Sequence, residues 1–264
     1  MAFRLLTIEK ASHVAIVTLN RPETYNALNR ELMMEITAVA QSFVDDTETR
    51  VVIFTGAGRH FSAGVDLKDP RDARHAGKTL LERQRLSRLG PRMIRALTEI
   101  PQITIAAING VALGGGACIT TALDFRIGAD DCAVGYPEVN LGIPLSWVSL
   151  PLCVHLIGPA RAKRMVILGG KEDARTLLEW GFLDEVVPQD ELLKRAGALA
   201  ARYAAQPPIA AQMIKRSINA IQSVLDQALM HMDGDQVLLT YTTEDCREGV
   251  TAFLEKRAPR FKGT

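Results

Sequence analysis

The chain has 264 residues, of which 47% are hydrophobic and 23% are charged, enough for one large domain or for one domain with a helical appendage. Its 31 basic and 30 acidic side chains give a net charge of +1, which excludes a broad electrostatic surface for nucleic acid or for an anionic membrane. Four scattered cysteines without metal-site spacing, and an N-terminus too mixed for a signal peptide, predict a cytoplasmic protein with reduced thiols.

The first part of the chain predicts strands and a helix in alternation. Strand-like runs occupy residues 3–9, 14–19 and 51–55. A helix is predicted to start near Asn26, because apolar residues then follow three or four positions apart. These residues are Leu28, Leu32, Ile36, Val39 and Phe43.

A polar, basic stretch at residues 66–85 predicts a mobile loop that leads into a helix. Pro91 is expected to kink or interrupt that helix. The next predicted strand, residues 103–108, opens an uncharged stretch that extends to residue 123, about the length of a membrane span. Its asparagine, threonines and adjacent glycines fit a buried strand, turn and helix better than a membrane helix.

The rest of the chain predicts two short strands and then mostly helices. The strands lie at residues 125–128 and 133–135, and helix-like runs follow at 160–168, 173–180, 192–205 and 209–224. The pair Pro207-Pro208 suits the start of the last helix. Strands that alternate with helices predict an α/β fold with some parallel pairing.

Residues 109–116 read Asn-Gly-Val-Ala-Leu-Gly-Gly-Gly and connect a predicted strand to a predicted helix. Adjacent glycines let a ligand approach the backbone, because no Cβ stands in the way. The first amides of the helix lack intrahelical partners and lie at the positive end of its dipole. The turn therefore suits a phosphate, a carboxylate or an enolate oxygen. Taken alone, such a turn more often reflects close packing of a helix on a sheet.

A second strand leads into a glycine-rich turn at residues 61–66, Phe-Ser-Ala-Gly-Val-Asp. Two such turns brought together in space would form an oxyanion hole from their backbone amides. The pair of motifs resembles the crotonase (enoyl-CoA hydratase/isomerase) superfamily. Three further segments are similar to that family: residues 19–28, residues 136–143 with Tyr-Pro-Glu-Val-Asn-Leu-Gly-Ile, and residues 244–257.

The resemblance covers nearly the whole chain and implies an α/β fold, a crotonase-like spiral of ββα turns with a helical C-terminal region. It implies a core domain at residues 1–200 and a helical trimerisation region at 201–264, in a homotrimer or a dimer of trimers. The implied substrate is an acyl-CoA, with coenzyme A present as part of the thioester. No permanently bound cofactor, metal, nucleic acid or membrane partner is expected.

The family pattern places the two oxyanion-hole amides at Val65 and Gly115. Hydratases of the family carry two glutamates, and the second of these positions is Glu138 here, whereas the first is occupied by Cys118. Adding water to a double bond suits two carboxylates, while one carboxylate can move a proton between C2 and C4 of an acyl chain. The pattern therefore favours a one-glutamate isomerase that converts 3-enoyl-CoA to 2-enoyl-CoA, with Glu138 as the proton shuttle.

Other functions stay open at this point. One is an enoyl-CoA hydratase with a substituted or relocated second acid, and another is a degenerate acyl-CoA-binding protein without chemistry. Decarboxylation or thioester hydrolysis through the same enolate is also open, given Tyr136 beside Pro137 and Glu138. The additional acid of dienoyl-CoA isomerases is replaced by Ser146, which disfavours that activity.

Several side chains near these motifs have two or more interpretations. Cys118 is a small buried hydrophobe in the favoured interpretation, and a weak acid or a nucleophile with a lowered pKa in the others. Trp147 either shapes the acyl pocket or packs in the core. His60 and His155 are more often structural than catalytic when they stand alone.

By resemblance, coenzyme A would lie along Ser62, Ala63, Asp66 and Leu67, mostly through backbone contacts. Its phosphates need cations, and the candidates lie in motif turns and in the C-terminal helix: Arg21, Arg59 and Lys256. Each of these is individually more typical of a solvated surface charge. For Asp66 we favour a role in capping the turn.

Overall fold

The computed structural model describes residues 3–68, 77–226 and 232–264. The mobile loop predicted at residues 66–85 lies partly outside these ranges. Within them, strands are ordered into two sheets and helices cover both the middle and the C-terminal part of the chain. The α/β class with a helical C-terminal region is confirmed.

A six-stranded sheet forms the centre of the molecule, with the order β1-β2-β3-β4-β6-β9. A smaller sheet of three strands has the order β5-β7-β8. β1 is antiparallel to β2, the other neighbours in the large sheet are parallel, and β8 is antiparallel to β7. The strands are β1 (Leu6–Ala11), β2 (Val14–Leu19), β3 (Val51–Gly56), β4 (Ile103–Ile108), β5 (Val111–Leu113), β6 (Phe125–Ala129), β7 (Ala133–Gly135), β8 (Lys171–Asp173) and β9 (Glu185–Val187).

Ten α-helices are described in the same ranges of the chain. They are α1 (Arg30–Ser42), α2 (Leu80–Ser87), α3 (Leu89–Thr98), α4 (Gly115–Ala122), α5 (Ser149–Leu168), α6 (Ala174–Trp180), α7 (Leu192–Ala204), α8 (Pro208–Gln222), α9 (Asp233–Thr240) and α10 (Glu244–Glu255). α5 is kinked at Gly158, which has a φ of 78° and precedes Pro159. None of the described helices is long and apolar enough to cross a membrane.

Parallel pairing of β3 with β4 brings the two glycine-rich turns to the same edge of the sheet. The register pairs Val51 with Ile103 and Phe54 with Ala106, so both strands end side by side. Asn109 fastens these ends, because its Nδ2 donates to the carbonyl of Gly56 at 2.8 Å while its Oδ1 accepts from the Gly56 amide at 3.1 Å. The sequence motifs that follow the two strands therefore meet in space.

Two predicted helix boundaries were wrong. α1 begins at Arg30 rather than near Asn26, because the Asn29 side chain accepts from the Leu32 amide at 2.8 Å and caps the helix there. The predicted interruption at Pro91 falls instead at Arg88, between α2 and α3. Pro91 lies in the first turn of α3, where its missing N–H removes no helical hydrogen bond.

The short strands β5, β8 and β9 were missed, since three residues are too few to produce a periodic pattern. The first half of α5, Ser149 to Gly158, lies in the region from residue 148 onward that the sequence predicts to be mostly helical. The three short strands complete the two sheets on which the candidate site rests.

Candidate active site

A cavity of about 90 Å³ lies where the two glycine turns meet the Pro-Glu segment. Four sequence-predicted residues line it together: Val65, Gly115, Cys118 and Glu138. Its remaining lining comes from α1, α2, α3, the segment after the Pro-Glu turn and α9: Met33, Arg83, Leu86, Ser87, Leu89, Gly90, Pro91, Ile143, Ser146, Trp147, Asp233, Gly234, Val237 and Tyr241. Residues that are far apart in the sequence thus form one pocket.

The Val65 amide is directed away from the segment at Leu28 that holds its turn. Leu28 donates its amide to the Gly64 carbonyl at 2.7 Å and accepts from the Asp66 amide at 3.2 Å. In this parallel bridge the residues on either side of Val65 make the hydrogen bonds. Because the N–H of Val65 points to the opposite side, it is left for another acceptor.

The Gly115 amide lies close to the same point. Gly115 is the first residue of α4, so its N–H has no acceptor within the helix. A Cβ on Gly64 would stand 3.4 Å from the Gly115 nitrogen and 2.6 Å from the Leu113 carbonyl oxygen. Gly64 also has a φ of +84°, which favours glycine. Two amide donors at the cavity can therefore be aimed at one developing negative charge.

Glu138 supplies a carboxyl group beside these amides. It lies in a 3-10 turn, Pro137–Leu141, directly after β7. Its Oε2 is inaccessible to solvent and has no hydrogen-bond partner among the described residues. A Cβ on Gly114 would stand 3.1 Å from its Oε1, so the carboxyl packs against the glycine turn.

Burial raises the pKa of Glu138 from 4.5 to about 7, and its own backbone amide opposes this only in part. The residue as a whole retains some exposure, but its Oε2 is buried, and burial disfavours the charged form of a carboxyl. A carboxyl with a pKa near neutrality can both accept and return a proton at physiological pH.

Cys118 faces Glu138 from α4 and is 1% exposed. Burial, together with the neighbouring Glu138 carboxyl, raises the pKa of the thiol well above its ordinary value. The interpretation as a nucleophile with a lowered pKa is therefore wrong, because the helix start does not outweigh burial here. Cys118 is a neutral, small side chain in the wall of the cavity.

Trp147 lines the cavity. This position is the one required by its interpretation as a residue that shapes the acyl pocket. Its indole lies flat against two glycines: a Cβ on Gly90 would be 2.0 Å from its Cε2, and one on Gly115 would be 2.5 Å from its Cζ3. Ser146, at the position of the additional acid in dienoyl-CoA isomerases, lies in the same wall.

Asp233 was missed by the sequence analysis, as were Arg83, Val237 and Tyr241 from the same wall. The amide of Val148 donates to Asp233 Oδ2 at 2.9 Å. Burial raises the pKa of Asp233, and the Val148 and Trp147 amides oppose that rise. No motif surrounds Asp233, and the packing of α9 against α2 helps to bring it to the cavity.

The residues expected to contact coenzyme A show varied environments. Ser62 is fully buried, and its hydroxyl donates to the Asn26 carbonyl at 2.8 Å and accepts from the Gly64 amide at 3.2 Å. Its backbone N–H and carbonyl are bonded to Val111 and Leu113. Ser62 therefore holds the turn from within, and its expected contact with coenzyme A stays a prediction.

Arg21 and Asp66 form an ion pair at 3.0 Å, with both side chains largely shielded from solvent. Arg21 also donates to the Ala27 carbonyl. Asp66 accepts from the Lys68 amide at 3.1 Å, a hydrogen bond that caps the turn as favoured from the sequence. The charge of Arg21 is thus already matched within the protein.

The other expected contacts lie outside the cavity lining. Ala63, Arg59 and Lys256 are exposed and Leu67 is half-buried. Lys256 has a φ of 56° and ends α10. Their roles towards coenzyme A stay predictions.

Neither histidine belongs to the cavity. His60 Nδ1 accepts from the Val111 amide at 3.2 Å, and burial lowers the pKa of its imidazole. His155 pairs with Asp226, with 2.9 Å between Nε2 and Oδ1. Both have structural partners, as single histidines usually do. Within the described residues, no group of three or more His, Cys, Asp or Glu side chains could hold a metal ion.

Comparison with known proteins identifies the family of this chain. The family model for enoyl-CoA hydratase/isomerase matches residues 9–264. The chain belongs to the enoyl-CoA hydratase/isomerase family. Its members form the crotonase superfamily, so both the predicted resemblance and the predicted fold are confirmed.

Individual members of the enoyl-CoA hydratase/isomerase family resemble this chain over nearly its full length. The crotonyl-CoA hydratase of Syntrophomonas wolfei subsp. wolfei is 33% identical over 263 residues, with 99% of each chain covered. The 1,2-epoxyphenylacetyl-CoA isomerase of Escherichia coli is 33% identical over 263 residues, covering 100% of this chain and 99% of its own. A crystal structure of an enoyl-CoA hydratase/isomerase from Xanthobacter autotrophicus Py2 superposes with a TM-score of 0.88 at 30% identity, covering 99% and 100%.

Proposed function

We propose that this enzyme is a one-glutamate acyl-CoA isomerase that moves a double bond from the 3- to the 2-position of an enoyl thioester. The observation that carries the proposal is the buried, unpartnered Oε2 of Glu138, in a carboxyl whose pKa is about 7. The position of a second glutamate holds Cys118, whose thiol stays neutral. One group in the cavity is thus suited to carry a proton in both directions.

The proposed reaction needs no group beyond those in the cavity. The Glu138 carboxylate takes a proton from C2 of the 3-enoyl thioester, and the electron pair moves onto the thioester oxygen as a dienolate. The amides of Val65 and Gly115 stabilise that oxygen. The electrons then return, the double bond forms between C2 and C3, and Glu138 gives the same proton to C4. The net change is a shift of one proton and one double bond.

The acyl-CoA substrate follows from the family, whose similar members are named for CoA thioesters. We propose that the thioester carbonyl lies between Val65 and Gly115, and that the acyl chain extends towards Trp147. Arg59 and Lys256 are the proposed cations for the coenzyme A phosphates, whereas Arg21 acts through its ion pair with Asp66.

The test is a paired assay on the purified protein. One reaction contains a 3-enoyl-CoA and the other a 2-enoyl-CoA, and products are identified by chromatography and mass spectrometry. The proposal predicts conversion of the first to its 2-enoyl isomer without a change in mass. Glu138→Gln should lower this rate by about a hundredfold to ten-thousandfold. The matched control is Glu179→Gln, because Glu179 is exposed and pairs with Arg175 on the surface of α6.

Three results would contradict the proposal. Addition of one water to the 2-enoyl substrate, at a rate well above isomerisation of the 3-enoyl substrate, would make the enzyme a hydratase. Full isomerase activity in Glu138→Gln would remove Glu138 from the chemistry. Tight binding of coenzyme A without turnover of either thioester would favour a degenerate binding protein.

The second candidate function is hydration, and a specific observation favours it. Asp233 is a second carboxyl group in the lining of the same cavity, and hydration suits two acids. Similar proteins include several hydratases. We prefer isomerisation because Asp233 Oδ2 is already bonded to the Val148 amide, whereas Oε2 of Glu138 has no such partner.

We also propose that the chain forms a homotrimer or a dimer of trimers through its C-terminal helices. α8 exposes a row of large apolar side chains three or four residues apart: Ile214, Ile218 and Ile221, at 59%, 56% and 78% exposure. A contiguous apolar face of this kind is typical of a protein interface. Sedimentation equilibrium tests the proposal, since a monomer at micromolar concentration would contradict it.

A further inference from the structure

The backbone of Trp147 and Val148 has an unusual conformation at the edge of the cavity. Their φ angles are 62° and 66°, and both residues therefore lie in the left-handed region. Val148 is β-branched, and a β-branched residue there is a strong outlier. Such a conformation persists only where surrounding groups hold it.

The group that holds it is Asp233. This residue begins α9, 85 positions further along the chain, and its Oδ2 accepts from the Val148 amide at 2.9 Å. The Trp147 amide also stabilises the Asp233 carboxylate. Consecutive amides in a turn create a concavity for an anion, and here the side chain of Asp233 fills it.

The indole that this backbone carries lies directly against the candidate oxyanion site. A Cβ on Gly115 would stand 2.5 Å from Trp147 Cζ3, and a Cβ on Gly90 would stand 2.0 Å from Cε2. Trp147 therefore fills the space between α3 and the start of α4. A rotation of the 147–148 backbone would move the indole away from Gly115 and open the cavity.

We propose that Asp233 is a positioning residue, which holds the left-handed Trp147–Val148 backbone so that the Trp147 indole forms the acyl-pocket wall against Gly115. The C-terminal region thereby contributes to the geometry of a site whose chemistry lies in the core. The effect on catalysis rests on the proposed acyl-CoA function, whereas the placement of the indole does not.

The first test follows the indole itself, without any substrate. The chain contains two tryptophans, so Trp180→Phe leaves Trp147 as the single emitter. In that background, Asp233→Ala should shift the emission to longer wavelength and increase quenching by acrylamide. Asp235→Ala is the matched control, because Asp235 is an exposed acid on the same helix outside the cavity lining and should leave both signals unchanged.

The second test separates positioning from proton transfer. Asparagine keeps an oxygen that accepts from the Val148 amide, so Asp233→Asn should keep kcat/KM within about threefold of wild type. Asp233→Ala should lower it by about tenfold to a hundredfold, because the wall of the site is displaced. An Asp233→Asn variant as inactive as Asp233→Ala would make the residue an acid in the reaction and overturn the proposal.

The third test removes the backbone strain. Glycine adopts the left-handed conformation readily, so in a Val148→Gly background the added effect of Asp233→Ala on Trp147 emission should be at least halved. An equal effect in both backgrounds would overturn the proposal, as would unchanged Trp147 emission in Asp233→Ala. If emission responds as expected but the paired assay finds no turnover of either thioester, the positioning role stands and the proposed function fails.

Discussion

The cavity has two walls of different construction. The inner wall comprises Val65, Gly115, Cys118 and Glu138, and it is built from the segments that follow the strands β3, β5 and β7, including the start of α4. The outer wall comprises Leu86, Leu89, Trp147, Asp233 and Val237, and its side chains come from four separate segments.

The geometry of the inner wall depends on backbone groups whose positions are set by the sheet. Its key distances follow from strand register and from turns in which a Cβ has no room, such as Gly64. The outer wall depends on side chains that reach across the molecule, such as Asp233 to Val148. We therefore expect changes that displace the two amides or remove the Glu138 carboxyl from the inner wall to abolish the chemistry. Changes in the outer wall should alter which acyl groups bind and how well.

After Glu138→Gln, the largest effect on activity is expected from Gly64→Ala. The new Cβ would stand 2.6 Å from the Leu113 carbonyl oxygen at a φ of +84°, so the turn must shift and carry the Val65 amide with it. Loss of one oxyanion donor typically lowers kcat by about a hundredfold to a thousandfold, and steady-state kinetics on the acyl-CoA substrate measures this.

The matched control is Gly197→Ala. A Cβ at Gly197, inside α7, meets nothing within 4 Å, so alanine should leave kcat unchanged and stabilise the helix by about 0.5–1 kcal/mol. Equal kinetics for Gly64→Ala and Gly197→Ala would mean that the turn does not fix the amide.

A large effect on stability is expected from Glu138→Gln. The pKa of Glu138 is raised from 4.5 to about 7 in the folded protein, so the unfolded chain ionises first as the pH rises. Its carboxyl therefore lowers the free energy of unfolding progressively between pH 4.5 and about 7. Above that range the loss is constant, at up to about 3 kcal/mol.

Denaturant unfolding at pH 5 and pH 8 measures this loss in the free energy of unfolding. The stability advantage of Glu138→Gln over wild type should be larger at pH 8 than at pH 5. The exposed control Glu179→Gln should show no comparable change. An advantage that is the same at both pH values would contradict the burial of a titrating carboxyl.

An intermediate effect is expected from Gly90→Ala in the outer wall. Its Cβ would stand 2.0 Å from the Trp147 ring, so the indole must move, at a cost of about 1–3 kcal/mol in the free energy of unfolding. We expect a raised KM with a smaller change in kcat, measured over a series of acyl chain lengths. A fall in kcat as large as that of Gly64→Ala would show that the two walls do not act separately.

The smallest effect is expected from Cys118→Ala. The thiol is neutral and buried, so its removal should keep kcat within about threefold and lower the free energy of unfolding by about 1 kcal/mol. A loss of kcat comparable to that of Glu138→Gln would give the thiol a direct part in the reaction.

The inner wall could be predicted from the sequence because its residues lie in local motifs. The family pattern placed the two amides at Val65 and Gly115 and the glutamate at Glu138, and the structure brings all three residues to one cavity. Their roles in the reaction stay predictions. The burial of Ser62 could not be predicted, because a motif does not tell which of its side chains points inward.

The outer wall could not be predicted in the same way. Asp233 stands in no motif, and its contact with Val148 spans 85 positions of the chain. The left-handed backbone of Trp147 and Val148 is also invisible in the sequence, since neither residue type favours it. Short strands such as β9 could not be predicted for a related reason, because pairing with a neighbouring strand determines them more than the local sequence does.

The measurement that tests the central claim most directly is the pH dependence of kcat/KM for 3-enoyl-CoA isomerisation, in wild type and in Cys118→Ala. This quantity reports the pKa of the essential base in the free enzyme. We predict that activity rises with pH through a midpoint near 7, the pKa of Glu138, and that the midpoint is the same in both proteins. A profile without this rise, or a midpoint that moves when Cys118 is removed, would contradict the account of Glu138 as the single proton shuttle.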